Sequence, residues 1–245
     1  MPYVTHQIQS IGDLIARLKL DVKPKEPIWF RGHSDSSWPL RPGYQRLKSP
    51  PPESMLIKRF KQNANLLANN VGRERFDWLF YLQHYGVPTR LLDWSESPLY
   101  GIYFAISSNP KKDGALWALK PLELNKLTTA IPKDSKFVPF FEDSQLDNYS
   151  TESLEAGNLD GVLPMAAIAT RNNVRIQAQL GVFTISHRTR KAIEEIDNGQ
   201  HVIRYLINPQ AKKKLAEELR ILAVNKFQLF PELSSAGDLV KESLS

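Results

Sequence analysis

Histidine, arginine, aspartate and tryptophan are concentrated in one short segment, residues 84–94. His84 ends a helical pattern, where an imidazole can line a site or cap free carbonyl groups. Arg90 and Asp93 are three residues apart on a predicted short strand. Asp93 can be the acid of a site or can orient an arginine, and the orienting role is favoured because a buried arginine needs a charged partner. Trp94 can offer a flat face to a ring or can pack in the core.

A second group of candidate residues ends the predicted strand Pro27–His33. The guanidinium of Arg31 can clamp a phosphate or a carboxylate through two parallel hydrogen bonds. A salt bridge to an acid at the edge of the core is an equally good interpretation. Gly32 allows the backbone to approach a ligand closely.

Two glutamines form the third group. Gln177 and Gln179 alternate with apolar residues on a predicted long strand, Val174–Ile185, which is bent or bulged at Gly181. Residues that alternate in this way share one face of a strand. That face either lines a cleft or faces solvent, and the sequence alone slightly favours the solvent-facing interpretation.

Several classes of protein are excluded by what the sequence lacks. Without cysteine there are no disulfides, thiolate metal sites or cysteine nucleophile. There is no glycine-rich dinucleotide fingerprint and no Walker-type phosphate loop. The five histidines lack zinc-ligand spacing, and the pairs His33 with Asp35 and His84 with Asp93 are not specific for a metal, so we predict no metal site.

Charge and hydropathy favour a soluble cytoplasmic protein that has anionic partners. The net charge is +6 and the pI is about 9.4, which favours nucleic acid or a phosphorylated cofactor. The basic runs Arg188–Lys191 and Lys212–Lys214 are weak signals for nucleic acid. No leader precedes the first helix and no apolar run can span a bilayer, so we expect no membrane contact.

The elements that must position these residues predict one α+β domain, with a mixed, bent central sheet flanked by helices. Residues 1–25 are expected to form an N-terminal helical cap, 26–207 the core and 208–245 a C-terminal helical cap. Predicted strands cover residues 27–33, 89–93, 115–119, 165–169, 174–185 and 202–207. Predicted helices cover 10–20, 53–70 and 73–84, start at Ser97-Pro98 and Asn208-Pro209, and end the chain within 227–244. Residues 122–161 show no clear helical or strand periodicity, and we predict polar loop with short strand segments there.

Three sequence blocks resemble the FRG domain family. Phe30-Arg31-Gly32 resembles the element that names the family, and residues 84–95 with the following Pro-Leu and Tyr-Phe-Ala resemble its central block. Residues 175–183 resemble its late strand. The blocks stand in the expected order and span most of the chain.

The resemblance implies a fold and a cofactor, because the layout of FRG domains is similar to that of ADP-ribosyltransferases. Arg31 would hold the phosphates or ribose of NAD, and the backbone of Gly32 would pair with the nicotinamide amide. Gln179 would stand where many such transferases have glutamate. The residues implied as catalytic are Arg31, His84, Arg90, Asp93 and Gln179. Those implied to contact NAD are Phe30, Arg31, Gly32, His33, Tyr85, Trp94 and Gln177.

Glutamine in place of glutamate is a departure from the transferase pattern. A carboxylate there would stabilise positive charge on the ribose and help to activate a nucleophile. The acid must come from elsewhere, with Asp93, Glu152 and Glu155 as candidates, or the protein binds a nucleotide without turning it over.

Three hypotheses follow for the function. The first is an NAD-dependent ADP-ribosyltransferase with a nucleic-acid or protein acceptor, in a toxin-like or phage-defence role. The second is a nucleic-acid-binding protein or nuclease, with salt-sensitive binding. The third is a non-catalytic nucleotide- or partner-binding module in which Arg90 and Asp93 pair in the core. In that case Arg31→Ala and Arg90→Ala would unfold the protein.

Overall fold

A computed structural model describes residues 3–64, 67, 75–128, 131–157, 162–171, 173–242 and 244. Its centre is a seven-stranded sheet. The strands are β1 (Val4–Gln7), β2 (Trp29–His33), β3 (Leu91–Ser95), β4 (Gly114–Leu119), β5 (Met165–Ala167), β6 (Gly181–Ile185) and β7 (Val202–Ile207). Their order across the sheet is β1-β7-β4-β2-β3-β6-β5. β1 and β7 are parallel and the other neighbours are antiparallel, so the predicted mixed sheet and α+β class are confirmed.

Ten α-helices flank the sheet within the described part of the chain. They are α1 (Ile11–Asp21), α2 (Glu53–Ala64), α3 (Asp77–His84), α4 (Pro98–Ile106), α5 (Pro121–Asn125), α6 (Thr151–Ala156), α7 (Val174–Ala178), α8 (Pro209–Ile221), α9 (Lys226–Leu229) and α10 (Leu233–Glu242). The starts of two of them follow from sequence chemistry. Pro98 and Pro209 stand in the first turns of α4 and α8, where a missing N–H costs nothing. Asn208 also caps α8, because its side chain accepts a hydrogen bond from the Ala211 N–H.

Two groups of helices cover one face of the sheet. α1, α4 and α8 pack on β2, β4 and β7 around Phe30, Ile102 and Leu215. α3 packs on β3, β5 and β6 around Leu79 and Phe183. Phe30 lies opposite Ser95, so both groups occupy the same face. The other face carries one continuous core that includes three tryptophans, Trp29, Trp94 and Trp117.

The boundary between the two helical groups lies over β2 and β3, which are the most weakly paired antiparallel neighbours in the sheet. They share only the pair Phe30–Ser95, whereas β2 has five pairs with β4 and β3 has five with β6. Two neighbouring strands that share one pair must diverge beyond it. A gap therefore opens in the middle of the sheet, next to Arg31 and Asp93.

Gly32 has a packing role at this gap. A Cβ atom there would lie 2.0 Å from the carbonyl oxygen of Gly101 and 2.5 Å from the backbone nitrogen of Ala105. Only glycine lets α4 pack so closely on β2. The sequence predicts close approach at Gly32 by a ligand, but the close approach in the structure is made by α4.

The largest difference from the predicted elements is at residues 174–185. The predicted long strand is wrong, because α7 occupies its first half and only β6 is extended. Asn173 caps α7 by accepting from the Arg175 N–H, and Leu180 turns the chain with a φ of 48°. Gln177 and Gln179 therefore lie on α7 and at its C-terminal cap, not on one face of a strand.

Smaller differences concern element ends and one missed strand. The sequence predicts only a helical cap for residues 1–25, whereas β1 adds an edge strand beside β7. The predicted strand 89–93 is shifted to Leu91–Ser95, and the strand 165–169 ends at Ala167. α2 is described to Ala64 and α3 begins at Asp77. Predicted helical residues 65–66, 68–70 and 73–74 lie outside the described residues, as do residues 71–72, 129–130 and 158–161.

Candidate functional site

A cleft of about 230 Å³ fills the gap between β2 and β3. Its walls come from five separate segments of the chain: β2, the end of α3, β3, α4, and the segment that contains α7 and β6. The lining residues are Phe30, Arg31, Gly32, Phe80, Gln83, His84, Asp93, Trp94, Ser95, Phe104, Asn173, Arg175, Ile176, Gln179, Gly181 and Phe183. The structure thus brings members of all three groups of predicted residues to one place.

Arg31 spans the gap from β2 to β3. Its Nη1 donates to the carbonyl oxygen of Asp93 at 2.6 Å, and its Nε donates to Nε2 of His33 at 3.1 Å. Within the described residues its Nη2 has no hydrogen-bond partner. Burial lowers the pKa of this guanidinium, Asp93 opposes that shift and Arg46 adds to it. Arg31 is therefore a fixed cation that keeps free donor capacity at the cleft.

His33 accepts a hydrogen bond from Arg31 and holds it in place, but it does not line the cleft. Its Nδ1 lies 3.1 Å from the carbonyl oxygen of Trp38, which can only accept, so Nδ1 carries the proton and Nε2 accepts from Arg31. Burial, assisted by the charge of Arg31, lowers the pKa of His33 to about 3. The imidazole is neutral at physiological pH and orients Arg31.

Acidification is expected to destabilise the protein through His33. In the unfolded chain this imidazole has a pKa of about 6.5, so between pH 6.5 and 3 the unfolded state binds more protons than the folded state. The stability that depends on neutral His33 is fully present above pH 6.5 and is lost as the pH falls toward 3. We expect about 2 kcal/mol of His33-dependent loss between pH 7 and pH 5.

Urea unfolding of the protein and of His33→Gln at both pH values measures this effect. Glutamine can accept from Arg31 and donate to Trp38 but does not titrate. The difference in pH dependence between the two proteins isolates His33, and an identical dependence would contradict its depressed pKa.

Asp93 supplies the only carboxylate among the described residues that line the cleft. Its Oδ1 accepts from Nε2 of Gln83 at 2.6 Å, and its Oδ2 lies 3.7 Å from Nη1 of Arg31. Gln83 is held in turn by the hydroxyl of Thr89. About half of the Asp93 side chain remains exposed, so the carboxylate is oriented and still accessible to a ligand.

Gln179 and Arg175 line the cleft from the segment around α7. The Nε2 of Gln179 donates to the carbonyl oxygen of Leu229 at 3.0 Å, and the backbone carbonyl oxygen of Gln179 accepts from the Ser95 hydroxyl at 2.7 Å. Arg175 lies 4.5 Å from the ring centre of Phe230 and contacts the His84 carbonyl at 3.5 Å. The C-terminal segment around α9 therefore supports this wall.

His84 and Trp94 line the cleft in different ways. His84 is partly buried, and burial, followed by the charge of Arg175, lowers its pKa. Trp94 is 3% exposed and its indole N–H donates to the Thr184 hydroxyl at 3.1 Å. Its ring is fixed in the core, so it supports the floor of the cleft and does not present a free stacking face.

Besides His33, three further predicted site residues do not line the cleft. Tyr85 is 64% exposed and packs against His84 on the outer surface, and Gln177 does not line the cleft. Arg90 is fully buried and forms two hydrogen bonds of 2.8 and 2.7 Å with Glu53. Because its charged partner is Glu53, the predicted pairing of Arg90 with Asp93 is wrong, and Asp93 is instead associated with Arg31.

Sequence reasoning did not single out several lining residues. Gln83 reads as an ordinary polar residue in a helix, and Phe80 as part of an apolar face. Asn173 was detectable, since asparagine before a short polar-apolar run is a helix N-cap signal that would have moved Arg175 onto a helix. The described residues contain no group of three or more ligands placed to hold a metal ion.

The fold and cleft define an α+β protein with a ligand-sized opening between two diverging strands. Residues 26–114 match the family model of the FRG domain, so this is an FRG domain-containing protein, as the first two sequence blocks predict. The third block, residues 175–183, lies outside the match but contributes to the same cleft. No curated protein and no solved structure matches the chain. Every helix that the structure describes is too short or too polar to span a bilayer.

Proposed function

We propose that the cleft binds NAD and that the protein is an NAD-dependent ADP-ribosyltransferase. The observation that carries the proposal is the convergence of Arg31, Asp93 and Gln179 on one cleft from three distant segments. They provide a cation for phosphate, an anion for the reacting ribose and an amide for hydroxyl groups. A toxin-like or phage-defence role is the biological setting that we propose with this activity.

The residues present suit the parts of NAD. The preoriented guanidinium of Arg31 matches a phosphate or the ribose beside it. Phe80, Phe104 and Phe183 give the cleft apolar walls that suit the nicotinamide ring. The amide nitrogen of Gln179 is bonded to the carbonyl oxygen of Leu229, which fixes the side chain. Its side-chain oxygen can accept a hydrogen bond from a ribose hydroxyl.

Asp93 has the central chemical role in the proposed reaction. The bond between ribose C1′ and the nicotinamide nitrogen breaks, the electron pair leaves with nicotinamide, and an acceptor nucleophile bonds to C1′ and releases its proton. A carboxylate at the cleft stabilises the positive charge that develops on the ribose, and it can take the proton of the nucleophile. In this proposal Asp93 supplies the carboxylate that many transferases have as a glutamate at the position of Gln179.

Nicotinamide release from NAD by Asp93→Asn tests this role. Asparagine keeps the hydrogen bond to Gln83 but removes the charge, so we expect release to fall about 10²-fold while NAD binding changes by less than about threefold. Asp113→Asn makes the same change of charge in the exposed loop before β4 and serves as the control. Equal rates for the two variants would refute the assignment of Asp93.

One observation favours nucleic acid as a second candidate ligand or as the acceptor. A groove of about 420 Å³ is lined by five lysines, Lys25, Lys120, Lys126, Lys133 and Lys136, against three acids. The predicted basic run on α8 is less available, because Lys212 is buried and donates to three backbone carbonyls. If the groove binds nucleic acid, affinity will fall steeply with salt and Lys133→Gln with Lys136→Gln will reduce the slope. Salt-independent or absent binding would remove this candidate.

A further inference from the structure

Arg175 is a second cation of the cleft, to which the proposed function gives no role. It lies in the first turn of α7 and lines the same cleft as Arg31, which comes from β2. Asp93 is the only carboxylate among the described residues that line this cleft, so two guanidinium groups share the lining with one acid. A cleft with an excess of fixed positive charge favours an anionic ligand.

The position of Arg175 is fixed both at its backbone and at its side chain. Its N–H donates to Oδ1 of Asn173 at 2.8 Å, and its carbonyl oxygen accepts from the Gln179 N–H at 3.0 Å. The Cζ of its guanidinium lies 4.5 Å from the ring centre of Phe230, and its Nη1 lies 3.5 Å from the carbonyl oxygen of His84. Within the described residues this guanidinium has no carboxylate at ion-pair distance. Arg175 is therefore oriented without being neutralised.

Phe230 contacts the guanidinium of Arg175 but does not line the cleft itself. Both of its backbone polar groups form hydrogen bonds within the C-terminal segment. Its ring meets the ring of Phe104 edge-to-face at 5.9 Å between centroids, and Phe104 lines the cleft. An arginine over the face of a fixed aromatic ring gains a cation–π attraction. Phe230 is thus placed to hold Arg175, as its neighbour Leu229 holds the side chain of Gln179.

Both arginines keep hydrogen-bond donors for a ligand. Arg31 uses Nη1 for the Asp93 carbonyl and Nε for His33, and its Nη2 has no partner within the described residues. Arg175 uses only Nη1, in a long contact with the His84 carbonyl. Guanidinium groups bind phosphate through strong, charge-assisted hydrogen bonds. Because the two groups come from different elements that line one cleft, they match a ligand with two phosphate groups better than one with a single phosphate.

We propose that Arg175, positioned by Phe230, binds one phosphate of a diphosphate and that Arg31 binds the other. The cleft then selects nucleotides that carry a diphosphate, of which NAD is one, over nucleotides with a single phosphate. The inference rests on the proposed function, because that function assigns the same cleft to a nucleotide. It makes Arg175 a specificity-determining residue and Phe230 a positioning residue that acts through Arg175.

Calorimetric titration with ADP and with AMP tests this selection without the reaction, because neither ligand contains the bond to nicotinamide. We expect ADP to bind the wild-type protein at least about tenfold more tightly than AMP, and the ratio to fall below about threefold in Arg175→Ala. Arg220→Ala removes the same charge from the exposed end of α8 and should keep the wild-type ratio. Equal affinities of the wild-type protein for ADP and AMP, or a ratio that Arg175→Ala leaves unchanged, would overturn the inference.

Variants of Phe230 test the positioning role. Phe230→Leu keeps an apolar contact with Phe104 but has no ring face, so we expect ADP affinity to fall about fivefold. Phe230→Met, a second variant without a ring face, should behave in the same way, whereas Phe230→Tyr keeps the face and should bind ADP as the wild-type protein does. Thermal melts confirm that each variant is folded.

A double-mutant cycle separates positioning from packing. If Phe230 acts through the guanidinium, Phe230→Leu should change ADP affinity by less than about 1.5-fold once Arg175 is alanine. The same fivefold loss in the presence and in the absence of Arg175 would assign Phe230 to packing alone and overturn its positioning role.

The outcomes also distinguish this inference from the proposed function. If nicotinamide is released from NAD but the preference for ADP does not depend on Arg175, the diphosphate site is refuted and the activity stands. If ADP is preferred through Arg175 but no nicotinamide is released, the diphosphate site stands and the transferase activity is refuted. If neither ADP nor NAD binds, both proposals fail together.

Discussion

Arg90→Ala is expected to lower the free energy of unfolding by about 3–5 kcal/mol, because it leaves Glu53 charged and buried without a partner. The side chain of Arg90 is fully buried, and besides Glu53 it donates to the carbonyl oxygens of Ser186 and Tyr149 at 2.7 and 2.8 Å. It therefore joins the start of α2 to the start of β3 and the end of β6. Urea unfolding followed by circular dichroism measures the loss.

A double variant distinguishes a buried charge from lost packing. Replacing both partners, Arg90→Met with Glu53→Leu, removes the unpaired charge and should recover much of the stability. The wild-type hydrogen bond from Thr151 to Glu53 is lost as well, so recovery is expected to be incomplete. A stable Arg90→Ala protein that has lost only its activity would contradict the structural role of Arg90. It would instead favour the catalytic role that the family resemblance implies.

Arg31→Ala is expected to have the opposite profile, with a folded protein and kcat/KM for nicotinamide release lower by about 10³-fold. Arg31 is partly exposed at the cleft and is paired less closely than Arg90. Loss of a preoriented charged donor removes binding energy and alignment at the same time. Arg31→Lys keeps the charge without the two-pronged geometry and should recover only part of the rate.

The control for this pair of variants is Arg59→Ala, which removes the same charge from the exposed side of α2. It should leave both the melting temperature and the rate unchanged. If Arg31→Ala unfolds the protein as Arg90→Ala does, the cleft arginine is structural, and the third hypothesis, a non-catalytic module, is favoured.

Local signals predicted much of the fold. Proline in the first turn and a polar residue before it marked the starts of α4 and α8, and β7 was predicted with its bounds correct. β1 was missed, because four mostly polar residues, Val4–Gln7, carry no periodic apolar pattern and gain their place only by pairing with β7. α7 was misread because alternation over five residues fits a strand as well as a helix.

The sequence singles out several residues that the structure places at one cleft, but it does not predict their interactions. Arg31, Asp93, His84 and Gln179 lie at one cleft, but the partner of each charged group depends on long-range packing. Arg90 pairs with an acid 37 residues earlier, and Arg31 contacts a residue 62 positions later. No spacing rule selects such partners, because they are decided by which strands become neighbours in the sheet.

The most direct test of the account is to measure NAD binding and nicotinamide release by the purified protein, with and without nucleic acid and cell lysate as sources of acceptor. We predict saturable binding at one site and release of nicotinamide, both lost in folded Arg31→Ala and retained in Arg59→Ala. Absence of NAD binding and of nicotinamide under every condition would contradict the account and leave the cleft without its proposed ligand.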